Sequence, residues 1–232
     1  MENMIEIQNL SRFFPVAGGE PFYALTDVNA RIPKGTLTIL KGKSGSGKTT
    51  LLNILGTLDA PSAGRIIWDG RDITGISEHE KEQMRRTRIG YVFQSVSLIP
   101  MLTVYENVEF ALRLANYPGE RKQRVMECLD LVGLAKRAKH MPQELSGGEQ
   151  QRVAIARTIA HKPQVVFADE PTAELDTASA HNVVMLFQKL VKEQGITIVM
   201  TTHDMALMGS GNLVYRLEDG IIHKEGDEEN GQ

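Results

Sequence analysis

The chain has 232 residues, of which 41% are hydrophobic and 24% are charged, and 26 basic against 29 acidic side chains give a net charge of -3. This composition excludes disordered, collagen-like and coiled-coil chains, and the slight acidity argues against a protein that binds nucleic acid through bulk positive charge. The length predicts one large or two small domains. The lone Cys128 excludes an internal disulfide and favours a reducing compartment.

The sequence predicts neither a membrane span nor a secretory signal. Apolar stretches such as Val165 to Ala168 fall far short of the roughly 20 residues that a spanning helix needs. The first residues, MENMIEI, include acids and lack a basic flank before an apolar block. We therefore expect a cytosolic globular protein.

The first part of the chain predicts strands and turns, since apolar side chains alternate from Ile5 onward. A loop is predicted from Phe14 to Phe22, which holds two prolines and two glycines. A later strand ends at the turn pair Asp69-Gly70. The strands predicted in this part cover residues 24–32, 36–40 and 65–68.

Helical spacing dominates residues 78 to 159, and strand patterns return after them. A hairpin is predicted around Asp219-Gly220, with an acidic tail behind it. The predicted helices cover residues 78–87, 103–116, 120–132, 147–160 and 178–193, and the predicted strands cover 165–168 and 196–201. This alternation predicts an α/β core with a largely parallel sheet, into which a helical subdomain is inserted.

The segment GKSGSGKT at 42–49 matches a phosphate-binding loop, because a strand is predicted before it and a helix over 49–58 after it. Its glycines let successive backbone N–H groups face phosphate oxygens at a helix N-terminus. Lys48 is expected to reach the β- and γ-phosphates of ATP, and Thr49 to ligate Mg²⁺. The loop by itself leaves kinases, GTPases, motors and transport ATPases open. The predicted ATP-binding residues here are Gly42, Lys43, Ser44, Gly45, Ser46, Gly47, Lys48, Thr49 and Thr50.

A pair of acids follows the apolar stretch 165–168 in the segment VVFADE. The carboxyl end of a buried strand is where ligands bind in open α/β sheets. Asp169 is expected to hold Mg²⁺ through water, and Glu170 to polarise the water that attacks the γ-phosphate. An exposed acidic turn is the alternative, which the phosphate loop upstream disfavours.

A second anion site is predicted in LSGGEQQR at 145–152, where a Ser cap and two glycines precede a helix N-terminus. One chain needs a single phosphate loop to hold ATP. A second site far along the sequence therefore suggests that it serves the nucleotide of another molecule.

Together these motifs resemble the nucleotide-binding domain of ABC transporters. LSGGEQQR is similar to the family signature, and GKSGSGKT with VVFADE to its two nucleotide motifs, over about residues 4 to 224. The resemblance implies a P-loop NTPase (RecA-like) core at about 1–93 and 161–224, with an antiparallel β subdomain. It also implies a helical subdomain at about 94–160, ahead of an acidic tail at 225–232.

The resemblance also implies roles for single residues. Gln94 in YVFQ matches the glutamine that reaches the metal and couples to the membrane partner, and His203 in MTTHD matches the histidine that contacts the γ-phosphate. Phe14 is the best match for the aromatic residue that stacks on adenine, and Tyr23 is the alternative. Leu175 and Asp176 match the D-loop at the dimer interface. The signature residues that would bind ATP across that interface are Ser146, Gly147, Gly148 and Glu149.

Two departures from the family pattern stand out. Ala173 and Glu174 occupy positions that commonly hold Gly and Asn, and the added carboxylate lies near the D-loop. Lys43 occupies a position often filled by a small or apolar residue. We expect Lys43 to point to solvent.

The segments NILGTLD and YVFQSVSLIPMLTVYENV resemble the lipoprotein-release, macrolide-efflux and cell-division group (the LolD, MacB and FtsE type). The resemblance implies an ATPase on the cytoplasmic face of the membrane, which powers a separate permease for export, lipoprotein extraction or mechanical signalling. Two copies would enclose ATP head-to-tail, and no nucleic acid partner is expected. The surface at 95–107 is either a docking groove for the permease or ordinary subdomain core.

Two other classes remain as alternatives. A soluble ABC ATPase of DNA repair or translation usually carries two ATPase domains or a long coiled-coil insertion, and this chain shows neither. A regulatory module that only senses ATP is disfavoured by the presence of Glu170.

Overall fold

The computed structural model describes residues 2–204 and 209–225. The predicted acidic tail lies outside the described residues, except for Glu225. The strands are β1 (Asn3–Phe14), β2 (Phe22–Pro33), β3 (Leu37–Lys41), β4 (Ala63–Trp68), β5 (Arg71–Asp72), β6 (Ile89–Val92), β7 (Val165–Ala168), β8 (Thr197–Thr202), β9 (Leu213–Glu218) and β10 (Ile221–Lys224). The α-helices are α1 (Lys48–Leu55), α2 (Glu78–Thr87), α3 (Val104–Leu114), α4 (Arg121–Leu131), α5 (Gly147–Ile159) and α6 (Thr177–Gln194), and short 3₁₀ turns cover Ala135–Arg137 and Pro142–Glu144.

Two sheets organise the described part of the chain. The larger has six strands in the order β10-β9-β3-β8-β7-β6, of which only β10 runs antiparallel to its neighbour. The smaller is antiparallel, in the order β2-β1-β4-β5. The predicted α/β class, with a largely parallel sheet and an antiparallel β subdomain, is therefore confirmed.

Side-chain alternation along the parallel strands divides the core into two clusters. In β7, Val165 and Phe167 belong to the cluster shared with β1, β2 and α1, whereas Val166 and Ala168 belong to the cluster shared with α3, α4 and α5. All four side chains are buried. An unbroken apolar stretch is what a parallel strand covered on both faces requires.

The strand β6 is an element that the sequence pattern does not predict, since it lies inside the stretch of helical spacing. Its four residues are too few for periodicity to separate a strand from a helix. Parallel pairing with β7 fixes its conformation, with Gly90 opposite Val166 and Val92 opposite Ala168. Because β6 and β7 are parallel, Gln94 follows β6 at the same edge of the sheet where Asp169 and Glu170 follow β7.

The ends of β1 and β2 also differ from the prediction. Phe14 pairs with Phe22 across the two strands, so the intervening loop covers only residues 15–21. The register places these two residues opposite each other at the ends of the two strands.

Three helices begin at capping boxes that can be read directly in the sequence. The boxes are Ser77 with Glu80 in α2, Thr103 with Glu106 in α3, and Ser146 with Glu149 in α5. In each, the hydroxyl accepts from a backbone N–H of the first turn, and the carboxylate accepts from the backbone N–H of the capping residue. Within residues 2–204 and 209–225, no helix is both long and apolar enough to cross a membrane.

Candidate nucleotide-binding and catalytic site

The topology gathers the predicted site residues at one edge of the larger sheet. The phosphate loop follows β3, Gln94 follows β6, the acidic pair follows β7 and His203 follows β8. Because these four strands run parallel, their carboxyl ends meet at the same edge, where ligands bind in such sheets.

The phosphate loop turns from β3 into α1 through glycines that no larger residue can replace. A Cβ at Gly42 would lie 2.2 Å from the carbonyl oxygen of Leu217, and one at Gly47 would lie 2.5 Å from that of Ala24. Gly47 also has a φ of 101°, in the left-handed region that favours glycine. The loop is therefore held tightly against neighbouring backbone.

A cavity of about 430 Å³ opens in front of this loop. It is bounded by the loop backbone and Lys48 on one side, by Phe14 and Phe22 at one end, and by Gln94 and Glu170 at the other. Exposed Lys43 does not line it, which agrees with the expectation that this side chain points to solvent. An aromatic end and a cationic loop suit a nucleoside triphosphate.

The Lys48 ammonium is buried at the base of the loop. It donates hydrogen bonds to the carbonyl oxygens of Gly42 at 2.8 Å and Lys43 at 3.0 Å, and it lies 3.6 Å from Oε1 of Glu170. A charge fixed between the loop and the acidic pair is well placed to meet phosphate oxygens.

Thr49 and Asp169 come together although 120 positions separate them. The Thr49 hydroxyl lies 3.1 Å from Oδ1 and 3.0 Å from Oδ2 of Asp169. A hydroxyl beside a carboxylate is the hard oxygen donor set that Mg²⁺ prefers, completed by substrate phosphates and water. The residues present therefore fit Mg²⁺.

Glu170 adopts a strained backbone conformation, with a φ of 42°. Its Oε2 atom lies 3.1 Å from Nδ1 of His203. Its backbone N–H donates to the hydroxyl of Thr201 at 2.8 Å, and that hydroxyl donates to Oδ1 of Asp169 at 2.7 Å. The sequence prediction missed Thr201, because β8 contains three buried threonines and no local pattern marks the one that faces the acids.

At the other end of the cavity, strand alternation separates the aromatic side chains. Phe14 and Phe22 are paired and line the cavity, whereas the Tyr23 ring packs on Phe13 at 5.6 Å. The guanidinium of Arg12 lies 4.5 Å from the centre of the Phe14 ring. The structure thus places Phe14 rather than Tyr23 at the cavity, and it adds Phe22, which the sequence prediction missed.

The signature residues lie elsewhere. None of Ser146 to Glu149 lines the cavity of its own chain. Ser146 caps α5, and its hydroxyl accepts from the Glu149 N–H at 3.3 Å. The hydrogen bond that the Ser146 N–H donates in return holds the pKa of the Glu149 carboxyl below its ordinary value.

The predicted D-loop lies beside the acidic pair. Asp176 caps α6, with Oδ1 accepting from the Ser179 N–H at 3.0 Å, and hydrogen bonds from Ser179 lower the pKa of the Asp176 carboxyl. Leu175 lines a second cavity of about 470 Å³ together with Glu170 and His203. The two cavities thus share Glu170.

Comparison with known proteins identifies the family. The family model described as "ABC transporter" matches residues 25–173. The chain is 42% identical over 224 residues to the lipoprotein-releasing system ATP-binding protein LolD 1 of Rhodopirellula baltica, covering 96% of this chain and 97% of that protein. It is 37% identical to the macrolide export ATP-binding/permease protein MacB of Syntrophobacter fumaroxidans, covering 96% of this chain and 32% of that protein.

The fold agrees with that of a solved cassette. The dimeric post-hydrolysis structure of MJ0796 from Methanocaldococcus jannaschii, bound to ADP and Pi, superposes with a TM-score of 0.86 at 40% identity, covering 96% of this chain and 98% of that one. These relatives confirm the prediction of an ATP-hydrolysing transporter subunit over that of a soluble repair or translation ATPase. The chain belongs to the ABC transporter family, in the group of ATP-binding proteins that contains LolD and MacB.

Proposed function

We propose that this chain binds MgATP in the cavity in front of the phosphate loop and hydrolyses it to drive a membrane permease. The observation that carries the proposal is the convergence of Lys48, Asp169, Glu170 and His203 from three separate parts of the chain. This arrangement supplies a phosphate-binding cation, a metal-facing carboxylate and a base within one site.

ATP binding would use both ends of the cavity. The loop residues 42–50 surround the phosphates with backbone N–H groups, and Lys48 carries the charge. Phe14 stacks on adenine, and Phe22 provides a second apolar wall. Stacking of a base on an aromatic ring contributes about 1–3 kcal/mol.

Mg²⁺ would be held by Thr49 and Gln94, with Asp169 reaching it through water. When bound, this ion neutralises charge that develops on the phosphate oxygens. The carboxylate of Asp169 already faces the Thr49 hydroxyl, so little rearrangement is needed to form the site.

Glu170 would act as the general base that takes a proton from the attacking water. Its position between Lys48 and His203 places the carboxylate at the phosphate end of the cavity. His203 orients this carboxylate and reaches the γ-phosphate. The strained backbone of Glu170 supports this role, since strain of this kind persists where a site requires a fixed geometry.

A second copy of the chain would complete each site. Ser146 to Glu149 lie at the N-terminus of α5, outside their own chain's cavity, where the helix dipole favours an anion. The solved MJ0796 cassette is dimeric. ATP bound between two copies would close the dimer, and hydrolysis would open it because the γ-phosphate contacts are lost.

The permease would dock on the surface at 95–107, which would place the chain at the cytoplasmic face of the membrane. Met101 exposes an apolar side chain there, with 85% of it accessible. In the MacB relative, as its name states, one protein carries both ATP-binding and permease functions. No nucleic acid takes part in this proposal.

The catalytic assignment is tested by comparing ATP turnover of the wild type with that of Glu170→Gln and Lys48→Ala. Glu170→Gln should bind ATP but lose turnover, whereas Lys48→Ala should lose binding as well. Equal turnover in the wild type and Glu170→Gln would contradict the role of Glu170. Absence of turnover in the wild type would favour a module that only senses ATP.

The transport assignment is tested by purifying the tagged chain from membranes. We expect an integral membrane protein to copurify, and a charge placed on the docking surface, Met101→Glu, to weaken that association. Glu109→Lys on the neighbouring helix serves as a charge-change control. Association with ribosomes or DNA instead would contradict the transport role.

A further inference from the structure

A buried hydroxyl lies between the two acids of the proposed catalytic site. Thr201 belongs to β8 and is 0% exposed. Burying a hydroxyl is unfavourable unless it is hydrogen-bonded, so its partners define what it does. Both partners belong to the segment that follows β7.

The two hydrogen bonds of Thr201 use its hydroxyl as donor and acceptor at once. It donates to Oδ1 of Asp169 at 2.7 Å and accepts from the backbone N–H of Glu170 at 2.8 Å. A hydroxyl has one donor and two lone pairs, so this pair of bonds fixes its rotamer. Thr201 thereby holds Asp169 by its side chain and Glu170 by its backbone.

The bond to Glu170 is important because that residue has a φ of 42°. An L-residue rarely adopts this conformation unless its surroundings hold it there. One restraint is the Glu170 carbonyl, which accepts from the Ala173 N–H at 3.1 Å, and the other is the hydroxyl of Thr201. Without the second, the backbone that aims the Glu170 carboxylate at His203 loses an anchor.

The hydrogen bond from Thr201 to Asp169 orients the carboxylate that is proposed to face Mg²⁺. The Asp169 carboxylate is contacted by Thr49 from the phosphate loop and by Thr201 from β8. One hydroxyl at the start of helix α1 and one from strand β8 therefore fix the orientation of this carboxylate. A carboxylate that serves a metal is usually oriented by such an outer partner.

We propose that Thr201 is a positioning residue, which orients the Asp169 carboxylate and holds the Glu170 backbone in its catalytic conformation. This inference rests on the ATPase function proposed above, since it assigns a further residue to the same site. The role belongs to the hydroxyl and not to the bulk of the side chain, because both bonds are made by Oγ1.

The substitution Thr201→Val removes the hydroxyl and keeps the β-branched shape that suits a strand. We expect turnover to fall by about tenfold to a hundredfold, as for other outer partners of metal ligands. The additional affinity that Mg²⁺ gives to a fluorescent ATP analogue should shrink, while binding without Mg²⁺ stays unchanged. Thr201→Ser, which keeps Oγ, should recover most of both properties.

Thr38→Val is the matched control. Thr38 is a buried threonine on the adjacent strand β3, opposite Val199, and its hydroxyl has no hydrogen-bond partner among the described residues. This variant loses a hydroxyl from the same sheet without touching the acidic pair. We expect wild-type turnover, wild-type Mg²⁺ dependence and a melting temperature no lower than that of the wild type, because the hydroxyl that is lost is buried and unpaired.

Two results would overturn the role of Thr201. Wild-type turnover and Mg²⁺ dependence in Thr201→Val would show that the hydroxyl is dispensable. An equal loss of nucleotide binding with and without Mg²⁺ would indicate a general structural role. Unchanged turnover in Glu170→Gln would contradict the proposed function instead, and the Mg²⁺-dependent binding would still decide the role of Thr201.

Discussion

At the scale of single residues, the part of the cavity proposed to hold adenine shows how strand alternation selects aromatic rings for the site. Phe13, Phe14, Phe22 and Tyr23 all lie at the ends of β1 and β2, but alternation directs only Phe14 and Phe22 to the cavity. Arg12 lies against the Phe14 ring and is itself held by Asp59, with bonds of 3.0 Å from both Nε and Nη2. The ring is thus oriented by a chain of contacts that ends just after α1.

Replacing Phe14 by Ala should weaken ATP binding by about 1–3 kcal/mol, the usual contribution of base stacking. Binding of inorganic tripolyphosphate should be unchanged, because this ligand lacks a base. Titration of both ligands measures the difference, and Tyr23→Ala serves as control. An equal loss of ATP affinity in Tyr23→Ala would contradict the assignment of Phe14.

At the scale of elements, helix α3 fixes the proposed docking segment through one buried side chain. Asn107 is 0% exposed. Its Oδ1 accepts from the Ile99 N–H at 2.8 Å, and its Nδ2 donates to the carbonyl oxygens of Ile99, Leu102 and Thr103. One amide therefore anchors the segment that leads from Gln94 into α3.

Replacing Asn107 by Ala should destabilise the protein by about 1–3 kcal/mol, because buried backbone groups lose their partner. Thermal denaturation measures this loss, and hydrogen exchange should show faster exchange at the Ile99 amide. Gln123→Ala, which removes an exposed amide from α4, should leave both values near those of the wild type. Slow exchange at Ile99 in Asn107→Ala would mean that another contact holds the segment.

At the scale of the whole molecule, the proposed reaction centre is divided between two faces of the same chain. The phosphate loop and the acidic pair form one face, and the N-terminus of α5 forms the other. In the function proposed above, a second copy brings them together. Glu174 is exposed beside the predicted D-loop, so its charge would lie near that interface.

Replacing Gly147 by Glu tests this arrangement. A Cβ at Gly147 meets no atom within 4 Å, and an acid in the first turn suits the helix dipole, so the fold should be preserved. In a Glu170→Gln background, ATP should still bind, but the ATP-dependent dimer seen by size-exclusion chromatography should be lost through repulsion of phosphate.

The control is Gly75→Glu, which adds the same charge at another exposed glycine with no atom near its Cβ position. This variant should dimerise like its parent when ATP is added. If Gly147→Glu dimerises as strongly as its parent, the N-terminus of α5 does not bind the ATP of the second copy.

The sequence by itself determined the features that depend on neighbouring residues. The phosphate loop, the Ser146 cap of α5 and the acids after β7 each lie within a window of a few positions, so spacing and residue type suffice to predict them. The predicted fold class follows from the alternation of such windows. The site roles assigned to these residues stay predictions until they are tested.

The tertiary structure decided what depends on residues that are distant in the chain. β6 is a strand because β7 pairs with it, and Phe22 faces the cavity because of its register with Phe14. Thr201 reaches Asp169 because β7 and β8 are neighbours in the sheet. Hydrogen bonds between such positions leave no local pattern, since the contact is made by the fold rather than by spacing.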